Sequence, residues 1–185
     1  MFQKKKNLGF TLAEMLVSIV IILLVILMIT SIFTLSQRTM RQANNKAELI
    51  QNSRVSLDLM SREIRQAKKI ITVLPTTNLN APNEITFEDG HDVSDISYIN
   101  YSLQGNQIHR RVYVYYFDTD PDVYVHYDDV DAFGPPENMI IDEKIIGEYF
   151  NDLIFYGNGN INIEMIMEKN NTEIFLKSVV NPRNI

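Results

Sequence analysis

The sequence of 185 residues contains no cysteine. The chain therefore has no disulfide framework, no zinc–thiolate site, no thiol nucleophile and no cysteine for a lipid anchor. It also has no glycine-rich phosphate loop and no serine in a nucleophile-elbow pattern. His91, His109 and His126 are far apart, and none has another histidine at metal-ligand spacing. We expect no enzyme activity, no catalytic residue, no metal site and no cofactor.

Charge is unevenly distributed along the chain. Residues 36–70 carry eight basic and three acidic side chains, whereas residues 71–185 carry six basic and nineteen acidic ones. An acidic region of this size repels nucleic-acid phosphates, so direct nucleic-acid binding is not expected. The basic residues of 36–70 have two interpretations, a solvated helix face or a contact with lipid headgroups or neighbouring chains.

Residues 15–35 contain no charged residue. About twenty apolar residues span a bilayer as a helix, so this segment predicts a membrane helix. A cleaved secretory signal also has a basic start and an apolar middle, but here the apolar run is long and no Ala-x-Ala-like site follows it. Glu14 lies at the edge of the run, although a buried carboxylate costs about 2.5–3.5 kcal/mol at a membrane centre and less near the interface. Membrane crossing alone does not require it.

The segment KKKNLGFTLAEMLV, residues 4–17, resembles the leader and processing motif of type IV prepilins and type II secretion pseudopilins. This resemblance implies that a prepilin peptidase cuts between Gly9 and Phe10 and that Phe10 becomes N-methylated. It also implies that Glu14, the fifth residue of the mature chain, acts in filament assembly. A carboxylate at this depth needs a cation, and a neighbouring subunit's α-amino group, with an ordinary pKa of about 7.7–8.0, would supply one.

The orientation in the membrane follows from the resemblance rather than from the charges. Lys4, Lys5 and Lys6 precede the apolar run, but Arg38, Arg41 and Lys46 follow it, so the positive-inside rule is close to a tie. The resemblance implies a single-pass protein of the cytoplasmic membrane with a cytoplasmic N-terminus and an extracytoplasmic head. The implied partners are prepilin peptidase, other pilin or pseudopilin subunits, the inner-membrane assembly platform and membrane lipid.

After residue 35 the helix is expected to continue, and Pro75 with the polar stretch 75–83 is expected to end it. One apolar stripe follows spacings of three, four and seven. Asn44 and Asn45 mark a position where the helix is able to bend. The stripe consists of Met40, Ala43, Ala47, Ile50, Leu57, Ile64, Ala67 and Ile71.

Beyond residue 83 the hydrophobic period changes to two, which predicts strands at 84–88, 96–103, 108–117, 153–156, 161–168 and 172–180. Asparagine- and glycine-rich turns separate the last three into an antiparallel meander. Its core-facing residues are expected to be Ile161, Ile163, Met165 and Met167. The fold class is therefore α+β, a long N-terminal helix packed on an antiparallel sheet, which is also the pilin-like fold that the resemblance implies.

The rest of the chain resembles one branch of this family, the J-type pseudopilins and PilW-like minor pilins. The similar segments are residues 54–67, 99–103, 107–111 and 179–184, and Ser31 occupies a position where major pilins often carry proline. The expected organisation is a cleaved leader (1–9), a transmembrane and polymerisation helix (10–35), an amphipathic stalk helix (36–74) and a β-rich head (75–185).

The expected function is that of a minor pilin or pseudopilin, assembled into a type IV pilus-like or type II secretion filament, at or near its tip as an assembly initiator. The alternatives are a stand-alone membrane-anchored binding domain and a major structural pilin. The acids Asp118, Asp120, Asp122 and Asp129 have a spacing similar to that of a calcium loop. Val123 stands where that loop needs glycine, so a solvated acidic turn between edge strands is expected instead.

Overall fold

The computed structural model describes residues 11–91 and 96–183. The chain divides into two units, residues 1–44 and 45–185. The described part of the first unit is the N-terminal part of helix α1, Leu12–Gln66, and the second unit contains the rest of that helix and all of the described strands. The strands are β1 (Lys69–Ile70), β2 (Glu84–Glu88), β3 (Tyr98–Gln104), β4 (Gln107–Phe117), β5 (Asp120–Val125), β6 (Glu137–Glu148), β7 (Phe150–Tyr156), β8 (Ile161–Lys169) and β9 (Thr172–Val180).

The strands form two antiparallel sheets. The larger sheet has the order β1-β2-β3-β4-β5, and β6 pairs with β4 along the edge opposite β3. The smaller sheet is the meander β7-β8-β9. A long N-terminal helix packed on antiparallel sheets confirms the α+β fold class.

One hydrophobic core joins the helix to both sheets. Leu49, Met60 and Ile64 of α1 are fully buried, and they cluster with apolar residues of β2, β3, β4, β7 and β8. The predicted inward face of β8 is confirmed. Ile161, Ile163, Met165 and Met167 are all in this core.

The predicted stripe is confirmed in part: Ile64 and Ala67 are fully buried, and Leu57 packs against the core. Leu49, Ser53, Ser56, Met60, Glu63 and Ile64 are buried, whereas Met40 is 63% exposed. Ser56 contacts the sheet directly, because its hydroxyl donates to the Ile146 carbonyl at 3.0 Å. A Cβ on Gly147 would lie only 2.4 Å from that hydroxyl oxygen. Apolar spacing found Ile64 on this face but not Ser53 and Ser56, because these buried residues are small and polar.

The helix ends at Gln66, so the predicted extension to residue 74 is wrong. The Lys68 amide donates to the Glu88 carbonyl, and the short strand β1 then pairs with β2. The β-branched Ile70 favours this extended pairing. The Arg183 amide donates to the Arg65 carbonyl at 3.1 Å and so satisfies one of the carbonyl groups at the helix end.

A buried ionic cluster joins the helix to the larger sheet. Glu63 accepts hydrogen bonds from the Tyr101 hydroxyl and from Nε and Nη2 of Arg110, with the arginine bonds at 3.0–3.1 Å. Arg110 also lies 3.4 Å from Asp142 of β6. Burial and the neighbouring Glu63 carboxylate raise the pKa of the Tyr101 hydroxyl well above its usual range.

Candidate functional site at the start of the helix

The expected cleavage residues, Gly9 and Phe10, lie outside the described residues. The described chain begins at Thr11, and α1 begins at Leu12. Glu14 is therefore in the first helical turn, which is the turn whose backbone amides have no partner within the helix.

Thr11 and Glu14 form a capping box. The Thr11 backbone amide and its hydroxyl each donate to Oε2 of Glu14 at 2.9 Å, and the Glu14 amide donates to the Thr11 hydroxyl at 3.3 Å. This reciprocal arrangement satisfies two amides that the helix leaves unpaired. The carboxylate also lies at the positive end of the helix dipole, which favours a negative charge there. Glu14 thus has a local role that does not involve a second chain.

The capping box leaves part of the carboxylate free. Both bonds from Thr11 end on Oε2, so Oε1 keeps its acceptor capacity with respect to the described residues. Cleavage after Gly9 would leave Thr11 in the mature chain. The capping bonds therefore leave one carboxylate oxygen available to a further donor.

The polar residues of the apolar run are satisfied within the helix. The hydroxyls of Ser18, Thr30 and Ser31 each donate to the carbonyl four residues earlier at 2.8 Å, and Thr34 donates to Ser31 at 2.9 Å. Such bonds remove the cost of placing a free hydroxyl in hydrocarbon. The segment therefore offers a lipid-compatible surface despite its four hydroxyl residues.

α1 is long and apolar enough to cross a membrane. Residues 15–35 would extend about 32 Å at 1.5 Å per residue, close to the roughly 30 Å of a bilayer's hydrocarbon core. All of these residues are exposed in the single chain. Their apolar surface needs either lipid or other helices around it.

A comparison with known protein families identifies the same N-terminal segment of the chain. Residues 4–30 match the family described as the prokaryotic N-terminal methylation motif. The match covers the expected cleavage site, Glu14 and most of the apolar run. No curated protein matches the chain. The methylation motif and the apolar helix together support a processed, membrane-anchored protein of the type IV pilin or pseudopilin kind.

Sequence reasoning placed Glu14 in this site but missed Thr11. The signal was present: threonine followed three residues later by glutamate, directly before an apolar run, is the pattern of a capping box.

The histidines of the head each contact a separate carboxylate. His91 lies 3.1 Å from Asp89, His109 lies 3.0 Å from Glu143, and His126 lies 3.7 Å from Glu88. Across residues 11–91 and 96–183, no three histidine or carboxylate side chains are grouped so that they could hold a metal ion.

The acidic segment that resembled a calcium loop is spread over several elements. Asp118 lies in the turn between β4 and β5, and Asp120 and Asp122 belong to β5 itself. Asp128 bonds to Lys69 at 2.9 Å, which lowers the pKa of the Asp128 carboxyl, while Asp131 accepts from the amides of Phe133 and Gly134. The expectation that this segment does not bind calcium stays a prediction.

Proposed function

We propose that this chain is a minor pilin or pseudopilin that is cut by prepilin peptidase and assembled into a type IV pilus-like or type II secretion filament. The observation that carries the proposal is Glu14 at the start of an apolar helix inside the methylation motif. The role is structural rather than catalytic. The head, residues 75–185, would face the extracytoplasmic side, and the N-terminus would begin in the cytoplasm.

In this proposal, the peptidase removes residues 1–9 and methylates Phe10. The new α-amino group lies one residue from Thr11, so it is close to the capping box of its own chain. During assembly, the free Oε1 of Glu14 would accept the amino group of the neighbouring subunit. Because an unpaired charge in the membrane is costly, this bond would favour correctly docked subunits over misplaced ones.

Lateral packing of residues 15–35 would then hold the subunits together. Their continuous apolar surface is compatible with either lipid or other helices, so a subunit is able to move from the membrane into a filament. A minor subunit with a large head would sit at or near the tip and prime assembly with other minor subunits. The assembly platform of the inner membrane would be its partner during insertion.

Glu14 has two separable roles, and substitutions distinguish them. Glu14→Gln keeps a side chain that can complete a capping box but removes the negative charge. Glu14→Ala removes both, and Thr11→Ala removes the cap while keeping the charge. We expect all three variants to be membrane-inserted and cut. Only Thr11→Ala should still enter the filament fraction sheared from cells, at a reduced level, because losing an N-cap costs about 1 kcal/mol.

The Gln variant decides between charge pairing and local capping. Incorporation of Glu14→Gln at the normal level would show that capping and apolar packing are sufficient, and it would contradict the proposed pair with a neighbouring amino group. The abundance of the unaltered chain in the same fraction tests the minor role. A chain that dominated the fraction would be a major subunit.

A further inference from the structure

One end of the larger sheet exposes apolar residues on both faces. We call residues 113–125 and 137–141, from β4, β5 and β6, the arm. Ile140 pairs with Tyr113 and Met139 pairs with Val114, so these two adjacent residues of β6 point to opposite faces. Ile140 is 52% exposed and Met139 is 46% exposed. An antiparallel sheet usually leaves at most one face to water, and that face is polar.

The arm is better suited to side-chain contacts than to strand addition. β6 is an edge strand, but its pairing with β4 shifts register between Ile108 and His109 and again between Val112 and Tyr113. Such irregularities interrupt the ladder of backbone groups and protect an edge from further pairing. The exposed apolar side chains therefore remain as the feature that needs a partner.

The charge of the arm indicates what kind of partner fits. The arm contains four acidic residues, Asp118, Asp120, Asp122 and Glu137, and no lysine or arginine. Asp118, Asp120 and Asp122 are exposed at the turn between β4 and β5 and along β5. A complementary surface would be basic and would contain apolar groups.

The second unit of the same chain presents such a surface on its helix. Arg54, Arg62 and Arg65 are exposed on one side of α1, and none of them has a carboxylate within salt-bridge distance among the described residues. Val55 lies beside them and is 60% exposed. Asp58 is also on this side, so the face carries a net charge of +2. We call these five residues the basic face.

We propose that the arm of one copy of this chain docks on the basic face of a second copy. The two surfaces are different parts of one chain, so the contact is heterologous. In a pair of copies, one copy still has a free arm and the other a free basic face, so further copies could be added at either end. The inference rests on one part of the proposed function, namely that packing of the membrane helices holds copies of the chain side by side. It requires at least two adjacent copies in the filament, near its tip if the minor role is correct.

The absence of cysteine makes this contact directly testable. Two differently tagged full-length copies are expressed together, one carrying Thr119→Cys at the arm turn and the other carrying Val55→Cys on the basic face. A flexible bifunctional maleimide is then added to membranes. We expect cross-linked dimers in this mixed pair. Two pairs serve as controls and should give few cross-linked dimers. In the first, both copies carry Thr119→Cys; in the second, one copy carries Val55→Cys and the other carries Asn158→Cys in the exposed turn of the smaller sheet.

Charge reversal tests the electrostatic part. One arm variant carries three substitutions together, Asp118→Arg, Asp120→Arg and Asp122→Arg. It should reduce the yield of cross-linked dimer about tenfold, equivalent to about 1.4 kcal/mol. Arg54→Glu with Arg62→Glu and Arg65→Glu on the other copy should do the same. Combining the two reversed copies should restore the cross-link, which also shows that the variants are folded.

The outcomes separate this inference from the proposed function. A processed chain that gives no mixed cross-link, or a cross-link that is as strong in the controls, would overturn the contact and leave the proposed function intact. A cross-link unaffected by both reversals would also overturn it. A chain that keeps its leader would contradict the proposed function, and the cross-link pattern would still decide the contact.

Discussion

Glu63 joins the helix to two strands of the larger sheet through one buried cluster of polar contacts. Its carboxylate accepts from Tyr101 of β3 and from Arg110 of β4, and Arg110 extends the cluster to Asp142 of β6. The side chains of Glu63 and Arg110 are 9% and 15% exposed. Removing the Glu63 charge would leave the Arg110 guanidinium with only the more exposed Asp142, 3.4 Å away, as its counter-ion, and breaking a buried ion pair in this way is costly.

Replacing Glu63 by glutamine should strongly destabilise the head. We expect a loss in the free energy of unfolding of at most about 3–5 kcal/mol, because Arg110 loses its buried partner but keeps Asp142. The measurement is denaturant unfolding of the full chain in detergent, monitored by near-UV circular dichroism. Glu143→Gln is the matched control: this exposed carboxylate bonds to Arg111 on the same strand pair, and because solvent screens such a pair its loss should leave the free energy of unfolding nearly unchanged. Equal losses in the two variants would refute the role given to Glu63.

Glu164 should make stability depend on pH. The Tyr156 hydroxyl, and then Lys177, donate to its carboxylate and lower the pKa of Glu164. A lowered pKa in the folded state stabilises the protein above the unfolded pKa of about 4.3, and this stabilisation is lost as the pH falls through the folded value. Glu164→Gln should therefore lower the melting temperature at pH 7 and lose its effect in acid.

The control for this experiment is Glu173→Gln, an exposed residue of the adjacent strand β9. The difference in melting temperature between this variant and the unaltered chain should stay the same from pH 7 to pH 3. If Glu164→Gln were offset by the same amount at every pH, the titration of this carboxylate would not be the cause.

At the scale of elements, the contact between α1 and β6 depends on small residues. Ser53 and Ser56 are fully buried on the helix, and Gly147 faces Ser56 from β6. A Cβ at position 147 would also lie 2.6 Å from the Phe150 ring. A side chain at position 147 would therefore clash with both Ser56 and Phe150.

Gly147→Ala should destabilise the head through overpacking. The added methyl group has to displace the Phe150 ring or the helix, and such changes typically cost about 1–3 kcal/mol. Thermal unfolding of the full chain in detergent measures the loss. Ile145→Ala on the same strand is the control, because Ile145 is half exposed and its truncation should cost less. A Gly147→Ala chain as stable as the unaltered one would show that the helix is free to move away from β6.

The sequence predicted the elements whose residues follow one clear period. The meander β7-β8-β9 and strands β2 to β4 were found because inward apolar residues alternate, as at Ile161 and Ile163. β6 was missed because Met139, Ile140 and Ile141 are consecutive apolar residues that stay exposed, so burial imposes no alternation on them. The helix end was placed too late because a strand pairing, between Lys69 and Glu88, ends the helix before the proline does.

At the scale of the whole molecule, the membrane-related features and the folded core occupy different parts of the sequence. The methylation motif and the apolar run occupy the N-terminal part, whereas the buried core and the acidic arm belong to residues 45–185. The motif was recognisable from sequence because it depends on residue order alone. The arm and the basic face were not, because each depends on which strands pair and which side of the helix is exposed.

The central claim, that this chain is a processed subunit, is tested most directly by the N-terminus of the protein extracted from membranes. Intact-mass analysis and N-terminal peptide sequencing should show a chain that begins at Phe10 and carries one added methyl group. In a host without prepilin peptidase, or with a bulky residue in place of Gly9, the chain should keep residues 1–9 and remain in the membrane, unassembled. A chain that still begins at Met1 in a host with active prepilin peptidase would contradict the account.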